Sequence, residues 1–282
     1  MGLSVNTNVA ALNAARNLTT TQGNLSKSLE KLSSGFRINR AADDAAGLAI
    51  SEGMRSQMGG IKVGIRNAQD GISVVQTAEG ALNETHSILQ RMRDLTVQAG
   101  NEGSLTDDAV KNIQTEITKL SSTLDDIATK TSFNGQKLLA GGYTGKNFQV
   151  GANGGETVTV GIGDMQAAAL HVDSSVTGLT DFTVAAGANA TATSNLVKID
   201  DAIKAVSTER ANLGATQNQF EHVINNANVA LENVTASESR IRDTDMAATM
   251  VDFTKSQILS QAGTAMLAQA KSLPQDVLKL LQ

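Results

Sequence analysis

Apolar residues at both ends of the chain recur at steps of three and four. In the middle they alternate with polar ones. The first spacing marks one face of a helix, the second a half-buried strand. The longest regular run is Ile199, Ile203, Val206, Arg210, Leu213, Gln217, Phe220, Ile224, Ala227, Leu231, Val234, Glu238 and Ile241. It is a heptad-like seam held for about six repeats, with three polar interruptions, and a seam of that length requires partner helices. The N-terminal part supplies them. Val5, Val9 and Leu12 begin a stripe that Leu18, Leu25, Leu29, Leu32 and Phe36 continue, and Gly35 is placed to end the helix at its C′ position. A second helical region spans 41–99, with Val75, Ala78, Leu82, Thr85, Leu89, Met92, Thr96 and Ala99 as its seam.

Ser104-Leu105-Thr106-Asp107 has the form of a capping box and starts a third helix. Val110, Ile113, Ile117, Leu120, Leu124 and Ile127 give it a face, and Phe133-Asn134-Gly135 ends the element. Phe148 and Val150, then Thr157 to Ile162, alternate around Asn153-Gly154-Gly155, which predicts a β-hairpin over 146–162. Residues 171–194 read as a loop of small residues or a short strand. The C-terminal helix starts near Ser194-Asn195 and breaks near Arg242-Asp243-Thr244-Asp245. Pro274 kinks its last part. The expected fold is mainly α: a long antiparallel coiled-coil or bundle rod formed by the N- and C-terminal segments, with a small β-hairpin and loops in the middle.

Composition sharpens this picture. The chain has 282 residues, 2% aromatics, one Pro and no Cys. Few rings suit a helix bundle better than a compact enzyme core. Without Cys there are no disulfides and no thiolate chemistry. A net charge of −5 without basic clusters argues against nucleic acid as a partner. No apolar run approaches the ~18 residues of a membrane span, so membrane insertion is not expected. Met1-Gly2-Leu3-Ser4-Val5-Asn6 lacks the charged and apolar regions of a secretory signal.

Catalytic constellations are missing. His86, His171 and His222 lie in three separate segments, and no metal or cofactor site is expected. Asp43-Asp44 and Asp125-Asp126 are adjacent on helices, so the members of each pair point about 100° apart. They read as helix-surface or first-turn charge. Gly141-Gly142-Tyr143-Thr144-Gly145-Lys146 has the wrong spacing for a phosphate loop. Five Asn-x-Ser/Thr triplets, at Asn17, Asn24, Asn83, Asn189 and Asn233, match a glycosylation pattern that is common by chance.

The run from Leu29 to Ser51, LEKLSSGFRINRAADDAAGLAIS, resembles the N-terminal signature of bacterial flagellins. Gln69 to Ser73, Gln76 to Leu82, Phe133-Asn134-Gly135, Phe148 to Asn153 and the tail from Ile258 to Leu281 are similar as well. The resemblance implies a structural subunit that polymerises into the flagellar filament for swimming motility, not an enzyme. It implies an inner domain of terminal helices from 1–42 and 246–282, and a helical-bundle domain from 43–245 with a short variable loop at 171–194. A minimal member with little or no outer domain is expected. It also implies an extracellular protein that leaves through the flagellar export apparatus without a cleaved signal. The implied partners are further copies of itself, hook-associated junction and cap proteins, and an export chaperone at the C-terminal helix.

Core assembly is expected to rest on Val5, Val9, Leu12, Leu25, Leu29, Leu32, Phe253, Ile258, Met266, Leu273, Leu280 and Leu281. The alternative is that these residues pack only within one subunit. Gln90 to Ala99 is similar to the segment recognised by the vertebrate Toll-like receptor for flagellin, so the resemblance makes Gln90, Arg91, Leu95 and Glu116 contact residues. Arg91 and Leu95 lie four apart and are expected to present a cation beside an apolar knob. Competing readings are a hook–filament junction protein, a rod-like adhesin, and an enzyme, for which the middle leaves no space.

Overall fold

In the computed structural model the described residues are 8–101, 105–172 and 189–280, with backbone alone for 189–192 and 273–280. The elements run α1 (Val9–Ser34), α2 (Ala45–Ala99), α3 (Asp107–Lys130), β1 (Ser132–Phe133), β2 (Gln136–Lys137), β3 (Lys146–Gln149), β4 (Thr157–Val160), α4 (Asn189–Arg242) and α5 (Met246–Leu280). Helices dominate and the two terminal ones pack together, as the stripes predict. Two compact units emerge, Met1–Met58 with Glu232–Gln282, and Gly59–Leu231.

The middle unit holds the core. Every residue of the α2 seam from Val75 to Ala99 is buried. Along α4, Ile199, Val206, Leu213 and Phe220 are buried and the other seam positions half-buried. Helix α3 adds Val110, Ile113, Ile117 and Leu124. Helices α2 and α4 run antiparallel here: Arg93 pairs with Asp200 at 2.8 Å and Glu79 with Arg210 at 3.7 Å.

The hairpin β3–β4 has the expected place, with Phe148 opposite Val158 and Gln149 opposite Thr157. It lies directly on α2. Asn67 Nδ2 donates to the Gln149 carbonyl at 2.8 Å, and a Cβ at Gly64 would sit 2.4 Å from the Val150 carbonyl oxygen. Phe148 meets the Phe220 ring edge to face at 5.6 Å. Only hydrogen on the α2 backbone leaves room for the hairpin to come this close.

Local signals show where the sequence reading needs correcting. Asn134 and Gly135 have φ of 48° and 78° and make the two-residue turn of a second hairpin, β1–β2. Both central residues have positive φ, as a type I′ turn requires. Phe133-Asn134-Gly135 therefore forms structure after α3, which stops at Lys130. The α3 cap is Thr106, whose hydroxyl accepts from the Ala109 amide, and Ser104 lies outside the described residues. Helix α4 begins at Asn189, before the expected Ser194-Asn195. The break after Arg242 is confirmed, and Asp245 caps α5 by accepting from the Ala247 and Ala248 amides. The α5 backbone remains helical through Pro274. Most of the loop 171–194 lies outside the described residues.

Candidate assembly surface

Helices α1 and α5 form an antiparallel pair in the terminal unit. Asn8 caps α1 by accepting from the Ala11 amide at 3.0 Å, and its Nδ2 donates to the Ala270 carbonyl at 2.6 Å. At the other end of α1, Gly35 has φ 75° and sends its N–H to the Lys31 carbonyl. Its own carbonyl accepts from the Thr244 amide at 3.0 Å, just before α5 begins.

The half-buried positions of α5 include Thr249, Phe253, Ser256, Ser260, Gly263, Leu267 and Ala270. On α1 they include Ala11, Ala14, Leu18, Thr21, Leu25, Ser28 and Leu32. Both sets step by three and four, so each is one helix face, and both are rich in small residues. Small side chains let two helices approach closely. A Cβ at Gly263 would lie 3.2 Å from Leu18 Cδ1.

Many of the larger apolar residues face outward. Leu12 is 60% exposed and Ile258 65%. Val9, Leu29, Met246, Met250, Val251, Leu259 and Met266 are exposed too. Among the described residues, Ile38 is the one buried hydrophobic side chain of this unit. The pair thus carries apolar residues on both faces, unlike a soluble two-helix hairpin, whose outer face is polar. Between the helices runs an apolar groove of about 380 Å³, lined by Ala14, Leu18, Leu259, Gly263 and Met266 among others.

The residues singled out for assembly divide accordingly. Val9, Leu12, Leu29, Ile258 and Met266 are exposed, whereas Leu25, Leu32 and Phe253 are half-buried within the pair. Val5 and Leu281 lie outside the described residues, and for Leu273 and Leu280 only helical backbone is described. Met250, Val251 and Leu259 extend the exposed set. A heptad assignment of α5 reveals them, because they flank the inner seam.

In the middle unit Gln90 and Arg91 are exposed and Glu116 is half-buried, and Arg91 Nη2 and Nε both donate to Glu116 Oε1, at 2.7 and 2.9 Å. Gln90 Nε2 lies 2.9 Å from His86 Nε2. Leu95 does not join them at the surface. It is 2% exposed and belongs to the core, so the expected apolar knob beside Arg91 is absent. Helical positions four apart share a face only roughly. Here the rim of the buried α2 stripe passes between the two residues.

Among the described residues no helix is long and apolar enough to cross a membrane, and no cluster of His, Asp and Glu could hold a metal ion.

Two family models match the chain: the bacterial flagellin N-terminal helical region over residues 5–144, and the bacterial flagellin C-terminal helical region over 196–281. A flagellin of Bacillus subtilis is 50% identical, with 99% of this chain and 100% of that protein aligned. A 33 kDa flagellar filament core protein of Treponema phagedenis is 46% identical over 99% of both chains. A protein assigned as flagellar hook-associated from Vibrio parahaemolyticus shares the fold, with a TM-score of 0.59 at 16% identity over 71% of this chain and 100% of its own. On the two model matches and whole-chain identities of this size, the chain belongs to the bacterial flagellin family, as a structural filament subunit and not an enzyme.

Proposed function

We propose that the outward apolar surface of α1 and α5 is where one subunit packs against further copies of itself, and that the terminal pair orders as it is covered. One observation carries this reading: the pair leaves a large set of apolar side chains, Leu12 and Ile258 among them, exposed outside an inner seam that mixes small residues with Leu18, Leu25, Leu32 and Phe253. Ordering a residue costs about 1–2 kcal/mol of backbone entropy. A unit whose buried apolar side chain is Ile38 has little burial of its own to offset that cost. Neighbouring copies supply the missing burial, as in coupled folding and binding. Contacts between unlike patches of successive copies do not close on themselves and so build a helical filament.

On this reading residues 1–42 and 246–282 form the filament core and 43–245 the helical bundle. Val9, Leu12, Leu29, Ile258 and Met266 make contacts between subunits, joined by Val5, Leu273, Leu280 and Leu281. Leu25, Leu32 and Phe253 hold the pair together. Family membership supports swimming motility as the purpose. It equally supports export through the flagellar apparatus without a cleaved signal, contact with hook-associated junction and cap proteins, and a chaperone at the C-terminal helix.

Electron microscopy of the purified chain with short filament seeds tests the proposal. The intact chain should elongate the seeds, and a variant lacking residues 1–35 and 250–282 should not. Leu12→Ser and Ile258→Ser should slow elongation about tenfold or more through lost apolar burial, without shifting the melting of the middle unit. Normal elongation by both variants would end the reading. A chain that caps seeds without extending them would instead be a junction protein.

A second reading, recognition by the vertebrate Toll-like receptor for flagellin, is favoured by the half-exposed Arg91–Glu116 pair on the rim of α2 and α3. Gln90, Arg91 and Glu116 make the contact and Leu95 supports them from beneath. Arg91→Ala and Glu116→Ala should weaken binding to the isolated receptor ectodomain about tenfold or more, as loss of a central Arg does in other interfaces. Unchanged affinity in both would exclude this face.

A further inference from the structure

The described methionines fall into three groups. Met92 is fully enclosed and Met165 nearly so, both in the core of the middle unit. Met246, Met250 and Met266 are the exposed ones; all belong to α5, and Met266 reaches 65% exposure. Met54 and Met58 are half-buried, and the Met58 sulfur accepts a hydrogen bond from the Thr235 hydroxyl at 3.1 Å. The solvent-facing thioethers therefore lie on the surface that the assembly reading covers, and Met266 lines the groove beside Leu18 and Leu259.

We propose that Met266, with Met246 and Met250, is an oxidation site that controls entry of a subunit into the filament: peroxide converts these thioethers in the free chain and blocks assembly, and incorporation shields them. The proposal rests on the assembly reading above.

The chemistry needs hydrogen peroxide as co-reactant. A sulfur lone pair attacks one peroxide oxygen, the S–O bond forms as the O–O bond breaks, and with a proton shift the other oxygen leaves as water. The thioether is oxidised to sulfoxide and the peroxide is reduced. Susceptibility follows exposure, because the oxidant must reach sulfur. The product carries a strongly polar S=O group. On Met266 that group would stand in a groove lined mainly by Ala14, Leu18, Leu259, Ala262 and Gly263; of the two polar lining residues, Asn17 and Thr21, the Thr21 hydroxyl already donates to the Asn17 carbonyl at 2.9 Å. Covering it with a neighbouring apolar surface would strip water from a strongly polar acceptor. Met92 and Met165 provide the internal control, since their surroundings exclude solvent in the free chain.

Free subunits and preformed filaments would be exposed to the same dose of hydrogen peroxide. Peptide mass spectrometry would follow each methionine, and seeds would report elongation. In free subunits Met246, Met250 and Met266 should oxidise about tenfold faster than Met92, and in filaments Met266 should slow by a similar factor. Oxidised subunits should elongate seeds about tenfold more slowly, as expected when a strongly polar group loses water in an apolar contact. Methionine sulfoxide reductase should restore elongation, an arm that needs no variant. The triple variant M246L, M250L, M266L should keep its elongation rate after peroxide, and the single variant M266L should keep most of it.

The proposal is overturned if oxidised subunits elongate normally, or if Met266 oxidises no faster than Met92. It is also overturned if the leucine variants lose as much elongation as the parent. Untreated parent chain that fails to extend seeds would refute the assembly reading itself, a result distinct from all of these.

Discussion

The Arg242 guanidinium lies over the Phe36 ring, 4.9 Å from its centroid, and joins the connector after α1 to the end of α4. Backbone bonds run beside the stack. The Arg37 amide donates to the Arg242 carbonyl at 2.7 Å, and the Thr244 amide to the Gly35 carbonyl at 3.0 Å. Arg37 Nη2 also reaches the Ile241 carbonyl at 2.7 Å. Arg242 in turn pairs with Glu52 on α2. The two places where the chain enters the terminal pair are thereby tied together, so α1 and α5 are set by one joint.

Arg242→Lys should loosen that joint. Lysine keeps the charge but loses the planar face that stacks on Phe36. Opening of the connector should become easier by about 1 kcal/mol, the scale of a partly desolvated cation–π contact. Hydrogen exchange at the Arg37 and Thr244 amides reads this directly. Unaltered protection at both would show that the backbone bonds alone hold the joint.

Acid should open the same region. The Arg242 hydrogen bond holds the Glu52 carboxyl below its ordinary value of 4.5. Hydrogen bonds from Arg40 and Asn39 do the same for Glu30, and the amides of those two residues hold Asp43 below 3.8. A carboxyl depressed in the folded state stabilises fully above its unfolded value and loses that contribution as pH falls through the folded one. Connector protection should therefore be constant from neutral pH down to about 4.5 and decline below it. Amide signals of Asn39 and Arg40 followed through an acid titration check the window, and a change confined to the alkaline side would contradict it.

Glycines on α2 should respond in opposite directions. A Cβ on Gly64 would meet the Val150 carbonyl oxygen at 2.4 Å, and one on Gly71 would meet Phe220 Cζ at 2.5 Å. Gly64→Ala collides with backbone and should destabilise the middle unit by about 1–3 kcal/mol as the hairpin is pushed away. Gly80 has open space around its Cβ position, so Gly80→Ala should stabilise by about 0.5–1 kcal/mol through helix propensity. Thermal melts of the two variants should move apart, and movement in the same direction would refute the close approach.

Arg91 and Leu95 should separate surface from core. The Arg91–Glu116 pair is about half exposed on both sides, so Arg91→Ala should change stability by less than about 1 kcal/mol. Leu95→Ala empties a core position and should cost about 2–5 kcal/mol. Chemical denaturation distinguishes them; equal losses would mean that Leu95 is not enclosed as described.

The sequence by itself determined the long helices, the hairpin over 146–162 and the seams of the middle unit; the short β1–β2 hairpin at Asn134-Gly135 went unread. Ile199, Val206, Leu213 and Phe220, or Leu82, Leu89 and Met92, face inward because a period near 3.5 is a property of the helix and needs no knowledge of the neighbour. The break after Arg242, the glycine cap at Gly35 and the alternation of the hairpin over 146–162 are local in the same way. Tertiary structure decided which apolar residues find company. On α1 the predicted stripe mixed two faces: Leu18, Leu25 and Leu32 turn toward α5, while Val9, Leu12 and Leu29 remain outside. Alanine, serine and glycine carry little hydrophobic signal, yet their small volume lets the terminal helices come together around a few leucines and leaves many other large side chains on the surface. Leu95 is the complementary case. Spacing placed it beside Arg91, but the packing of α2 in its own core turned it inward, because periodicity gives the direction of a face and only the neighbouring elements give its edges.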